Sequence, residues 1–137
     1  YQPLLDEALA SGLPMVCANP DLVVHIGDDL VICAGLIAQK YEEMGGVVAY
    51  HGKPFSSVYE RCFDFLSSVP RERLLAIGDG LRTDILGAAN HGISSLFLTD
   101  GIHVDELARA EGSQGSIRQL AIEIAAIPTY AASRLRW

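Results

Sequence analysis

A chain of 137 residues, half of them hydrophobic and a fifth charged, can bury a core and is too apolar to be disordered. Its net charge of −7 leaves no basic stripe for a nucleic-acid backbone, and its longest apolar run, 30–38 with Gly35 inside, is far too short to span a bilayer. Cys17, Cys33 and Cys62 are odd in number, lie in apolar settings and have no zinc-knuckle spacing, so they read as reduced core residues of a cytoplasmic protein.

In chain order, Leu4, Leu5, Ala8 and Leu9 predict a helix over 1–11 that Gly12 ends. A short buried strand, 15–18, stops at Asn19-Pro20-Asp21. Residues 22–25 and 30–33 flank a Gly27-Asp28-Asp29 turn and read as a hairpin. A helix over 35–44 places Leu36, Ile37, Tyr41 and Met44 inward, and Gly45-Gly46 closes it. The strand 47–50 leads into His51-Gly52-Lys53-Pro54. The helix that follows puts Val58, Cys62, Phe65 and Leu66 on one face and ends at Pro70.

Leu74-Leu75-Ala76-Ile77 reads as a buried parallel strand that stops at Gly78-Asp79-Gly80. Thr83 is the expected N-cap of the next helix, Asp84 sits in its first turn, and Ile85, Ala88 and Ala89 share its buried face. A strand over 94–98, a helix over 104–110, a loop over 111–115, a helix around Ile117, Leu120, Ala121 and Ile124, and an edge strand in the tail complete the chain. Strands alternating with helices indicate an α/β fold with a parallel sheet.

Asp79 thus lies at the carboxyl end of a strand with Asp84 one turn on, the edge where open α/β sheets bind ligands. Two hard oxygen ligands there suit Mg²⁺, although a turn aspartate and a helix-capping aspartate give the same pattern. Lys53 ends another strand. A lysine beside two aspartates is equipment for holding a phosphate.

Asn19-Pro20-Asp21, Gly52-Lys53-Pro54, Gly78-Asp79, Thr83-Asp84, Gly87-Ala88 and Gly92, taken in that order, resemble the second half of a haloacid dehalogenase (HAD) superfamily phosphatase. The spacing is nearest the NagD-like class IIA, and the likeness covers most of the chain, fading after about Asp105. The resemblance implies a Rossmann-like three-layer core with a parallel sheet. Residues 1–33 would be the tail of a cap domain and 34–137 the C-terminal half of the core.

It further implies Mg²⁺-dependent hydrolysis of small phosphorylated metabolites, such as sugar or nucleotide phosphates, through an aspartyl-phosphate. In that scheme Asp79 is a metal ligand, and Asp84 positions metal-bound water or Lys53. Lys53 offsets the charge of nucleophile and phosphate, and Gly78 lets the backbone approach the substrate. Asn19 and Asp21 would face substrate; shaping a turn is the alternative for both. The family's Asp-x-Asp-Gly nucleophile motif has no counterpart, since Asp28-Asp29 lies in a polar turn. The chain therefore reads as a C-terminal portion, inactive alone and prone to self-association or homo-oligomer formation through an open sheet edge.

A non-catalytic phosphate- or metal-binding module is the competing reading. A receiver domain fits less well, because its lysine follows the acidic pair, whereas Lys53 precedes Asp79. A dinucleotide fold lacks the glycine wanted at Thr83. None of the four histidines is assigned catalytic work, although His51 neighbours Lys53 and His103 follows the last loop at the active edge.

Overall fold

A computed structural model describes residues 1–27, 29–109 and 114–136. The chain is mixed α/β and divides into two compact units, Tyr1–Val58 and Tyr59–Trp137. Among the described residues no helix is long and apolar enough to cross a membrane.

In the first unit, α1 (Gln2–Ala10) ends near Gly12, whose φ of 64° is the left-handed conformation that glycine tolerates. Strand β1 (Met15–Cys17) pairs in parallel with β4 (Val48–Tyr50), Cys17 opposite Tyr50. Between them β2 (Val23–Ile26) and β3 (Asp29–Ile32) form the expected antiparallel hairpin; Asp28 of its turn lies outside the described residues. The crossover helix α2 (Ala34–Glu43) buries Gly35, Ala38 and Tyr41, and the Tyr41 hydroxyl donates to the Leu13 carbonyl. Leu36, expected inward, is exposed. Gly35 decides this orientation: a Cβ there would lie 2.1 Å from the Pro20 carbonyl oxygen, so the helix seats its smallest residues against the chain.

Helix α3 (Ser56–Phe65) joins the two units in sequence. In the second unit β5 (Leu75–Gly78), β6 (Ser94–Leu98) and β7 (Tyr130–Ala132) form a parallel sheet in that order, so the tail does supply an edge strand. A π-helical turn, Leu81–Ile85, runs into α4 (Leu86–Asn90). Leu81, Ile85, Phe97 and Ala126 form the fully buried core, with Leu86, Leu107 and Ile124 packed on it. Helices α5 (Val104–Arg109) and α6 (Gln114–Glu123) flank this core in sequence. Ala110 and residues 111–113 of the expected loop lie outside the described residues, and Gln114 already belongs to α6.

Several sequence expectations are corrected. The 74–77 strand is not buried on both faces: Leu75 and Ile77 are 47% and 45% exposed, alternating with less exposed Ala76 and Gly78. β5 ends the sheet order and is covered on one face, so its apolar run acquires a period of two. In α3 the buried residue is Tyr59, with Phe63 one turn on, whereas Cys62 and Leu66 are exposed and Phe65 is 89% exposed. Of the cysteines only Cys17 is buried; Cys33 is half-buried, and all three are free. Ala89 of α4 faces outward while Ile85 and Ala88 are buried.

Phe97→Ala therefore lowers unfolding free energy by about 3–5 kcal/mol, while Phe65→Ser stays within about 0.5 kcal/mol. Urea denaturation of the two variants checks the assignment of core and surface; equal losses would contradict it.

Candidate active site

The first unit gathers three sequence-predicted residues at the carboxyl ends of β1 and β4. The His51 N–H donates to the Cys17 carbonyl at 2.8 Å, which carries the parallel pairing into the loops. Gly52, at φ 86°, has no room for a side chain. A Cβ there would lie 2.9 Å from the Ala18 carbonyl oxygen and from Pro20 Cδ. The Lys53 loop is thereby packed on the Asn19-Pro20-Asp21 loop. Lys53 is exposed and precedes a cis Pro54. Asn19 Oδ1 accepts the Asp21 N–H at 3.3 Å, which is the turn-shaping role that was the alternative for this residue. The Asp21 carbonyl accepts the Gly35 N–H at 3.0 Å and so ties this loop to the start of α2.

The second unit places Gly78, Asp79 and Asp84 at the carboxyl end of β5. Asp84 is buried, at 8% exposure, and its Oδ2 accepts the Gly80 N–H at 3.0 Å. The same Gly80 carbonyl accepts from Asp84 N at 2.8 Å and from Ile85 N at 3.1 Å, the second contact giving the turn its π character. This reach from inside the helix replaces the expected Thr83 cap: Gly80 is the N-cap residue and makes no side-chain cap bond. Asp79, half-buried, takes the Ile102 N–H on its Oδ2 at 3.1 Å.

Glycine clears the space around both carboxylates. A Cβ on Gly78 would lie 2.2 Å from Asp84 Cγ and Oδ2, and one on Gly101 would lie 2.2 Å from Asp79 Cβ. Tyr59 closes the other side, its hydroxyl set where a Cβ on Gly87 would come within 2.0 Å. Burial, then the Asp84 carboxylate, then Cys62 push this hydroxyl up to about 12. Its ring stacks on His91 at 4.1 Å.

Two carboxylates on one glycine-lined turn fit a hard divalent cation, because oxygen donors are what Mg²⁺ prefers and the cradle is one that any side chain would fill. They supply part of a coordination shell. Among the described residues no group of three or more His, Cys, Asp or Glu assembles.

His103, which follows the last loop at the active edge and is expected to do no catalytic work, makes contacts that the sequence does not reveal. It is buried, its Nε2 lies 3.1 Å from the Leu81 amide, and its Nδ1 lies 2.5 Å from Glu106 Oε2. The three-residue spacing of His103, just before α5, and Glu106 in its first turn is the signal that could have paired them.

The model of the HAD-hydrolase-like family matches residues 50–121, just over half of the chain. No curated protein matches. Among solved structures, a haloacid dehalogenase-like hydrolase from Brucella suis is 32% identical with a TM-score of 0.77. The alignment covers 99% of this chain and 49% of that one. A putative NagD protein is 28% identical with a TM-score of 0.60, covering 74% of this chain and 42% of that one. A glycerol phosphate phosphatase from Mycobacterium tuberculosis, in complex with magnesium, is 24% identical with a TM-score of 0.65. Here 96% of this chain aligns with 37% of that one. The chain spans less than half the length of each of these structures.

Gly78→Ala drives a methyl group into Asp84 and costs about 1–3 kcal/mol of stability. Asp84→Ala in the same chain relieves that collision. A denaturation double-mutant cycle returns a coupling of at least about 0.5 kcal/mol, whereas additive losses would mean that the two residues do not compete for space.

Proposed function

Because the chain belongs to the HAD-like hydrolase family, we propose that it contributes the lysine and the two carboxylates of a magnesium-dependent phosphatase site for small phosphomonoesters. The observation that carries this reading is the placement of Asp79 and Asp84 on one turn at the end of β5, in a cradle kept open by Gly78 and Gly101. A phosphomonoester at neutral pH is a dianion, so a site that holds it needs local positive charge in a protein of net charge −7. A bound Mg²⁺ supplies that charge and polarises the phosphoryl oxygens. The NagD-like neighbour and the magnesium complex of the glycerol phosphate phosphatase favour this reading over other hydrolase chemistries.

Each residue has a distinct task. Asp79, anchored by the Ile102 amide through one oxygen, presents a carboxylate to the cation. Asp84, buried and fixed by the Gly80 amide, is too constrained to swing and orients its neighbours. Lys53 offsets phosphate charge, and the Gly78 backbone lets the substrate approach without a side chain in the way. Asn19 holds the adjoining loop through the Asp21 amide and leaves Asp21 to contact the rest of the substrate. The division into a cap remnant over 1–33 and core over 34–137 belongs to the same proposal. So does a reducing compartment, which suits three free thiols. The 137 residues carry no Asp-x-Asp-Gly motif, and we propose that they do not turn over substrate by themselves.

The test is phosphate release from a panel of small phosphomonoesters, with Mg²⁺ and with chelator. It compares this chain with the same chain preceded by its upstream coding sequence. Expected is release by the longer chain only, abolished by chelation and reduced at least about a hundredfold by Asp79→Ala or Lys53→Met. Turnover by the short chain would contradict the assignment of its residues. Cation binding without turnover in either chain would favour the non-catalytic binding module.

A further inference from the structure

We propose that His103, oriented by Glu106, is a positioning residue that holds the turn between Asp79 and Asp84. The proposal rests on the reading of those carboxylates given above, which lends the turn its meaning. Its starting point is a pair of ties from the loop after β6 to the loop after β5. Ile102 donates its N–H to Asp79 Oδ2 at 3.1 Å, and the next residue, His103, faces the Leu81 N–H through Nε2 at 3.1 Å. Leu81 opens the π turn whose last-but-one residue is Asp84. One short segment therefore grips the carboxylate before the turn and the backbone at its start.

The chemistry of the ring sets the direction of both bonds. A backbone amide only donates, so Nε2 accepts and carries no proton. The ring proton then sits on Nδ1 and is donated to Glu106 Oε2 at 2.5 Å. Glu106 selects the tautomer as a carboxylate selects that of a metal-binding histidine. The imidazole is sheltered, with Glu106 reaching it from the surface: His103 is buried and packs on the core ring of Phe97, with centroids 6.0 Å apart. Leu81 is itself fully buried, so its amide has no solvent to turn to once the imidazole is gone. Packing alone does not require this, since a hydrocarbon of similar size would fill the space beside Phe97. An acceptor at that position is what the Leu81 amide demands.

The prediction is read by NMR on the 137-residue chain, and neither readout needs a cation or turnover, so it stands apart from the fate of the phosphatase reading. Imidazole nitrogen shifts report the tautomer, and amide hydrogen exchange reports the two ties. Expected is a neutral Nδ1–H ring for His103. In His103→Leu, which keeps bulk and removes the acceptor, exchange at Leu81 and Ile102 accelerates by about tenfold or more. In His103→Gln, whose amide oxygen can accept from Leu81, both rates stay within about threefold of the unsubstituted chain. An Nε2–H tautomer overturns the proposal. So does a His103→Leu chain with unchanged exchange, which would reduce His103 to packing. Should His103→Leu fail to fold, the tautomer and Glu106→Ala, which releases the ring and accelerates the same two amides, decide the matter.

Discussion

The hydrogen bond from the Gly80 amide to the buried Asp84 carboxylate is the constraint on which this molecule's candidate site depends. It ties the π turn back to its own N-cap residue, and so joins the end of β5 to the start of α4 without a conventional cap. A buried carboxylate is costly unless its oxygens are engaged, and the gain from engaging them is what sets the turn's shape. The turn in turn dictates glycine at position 78, because the Asp84 carboxylate occupies the space a side chain would need. Gly80 answers to a different neighbour, since a Cβ there would lie 2.3 Å from Thr83 Oγ1.

The rest of the second unit supports that turn. Leu81 and Ile85, the first and last residues of the turn, are fully buried and pack in one core cluster with Phe97 of β6. The loop after β6 returns to the same place, with the Ile102 amide on Asp79 and His103 at Leu81. Tyr59 of α3 fills the gap above Gly87, and Asp84 contributes to raising its hydroxyl, so this face too registers the carboxylate. The site is thus positioned by strands, a helix and one doubly tied loop. That is the rigidity the proposed phosphoryl transfer would ask of a protein whose chief contribution is placement and charge.

Much of this architecture was legible in the sequence. The β2–β3 hairpin, the parallel strands and the tail strand follow from apolar runs punctuated by glycine, proline and aspartate. What escaped depends on partners distant in the chain. In α3 the stripes through Tyr59 and through Cys62 have the same helical period; Gly87 of α4 and His91 just past its end choose the first. An apolar strand such as 75–77 shows that burial is wanted but not how many faces are covered. Thr83 is a better cap than Gly80 by residue preference, and it loses to a carboxylate four residues along that reaches back. His103 lies 22 residues from the amide it faces, a separation no local pattern can reveal.

Mn²⁺ binding to the 137-residue chain, followed by electron paramagnetic resonance, decides whether Asp79 and Asp84 form a hard-cation cradle. Mn²⁺ takes the same oxygen ligands as Mg²⁺ and its free ion gives a signal that binding depletes. A cradle at Asp79 depletes the signal with the unsubstituted chain and not with Asp79→Asn, the circular dichroism of the two chains being superimposable. Equal depletion by both, or none by the unsubstituted chain, would contradict it.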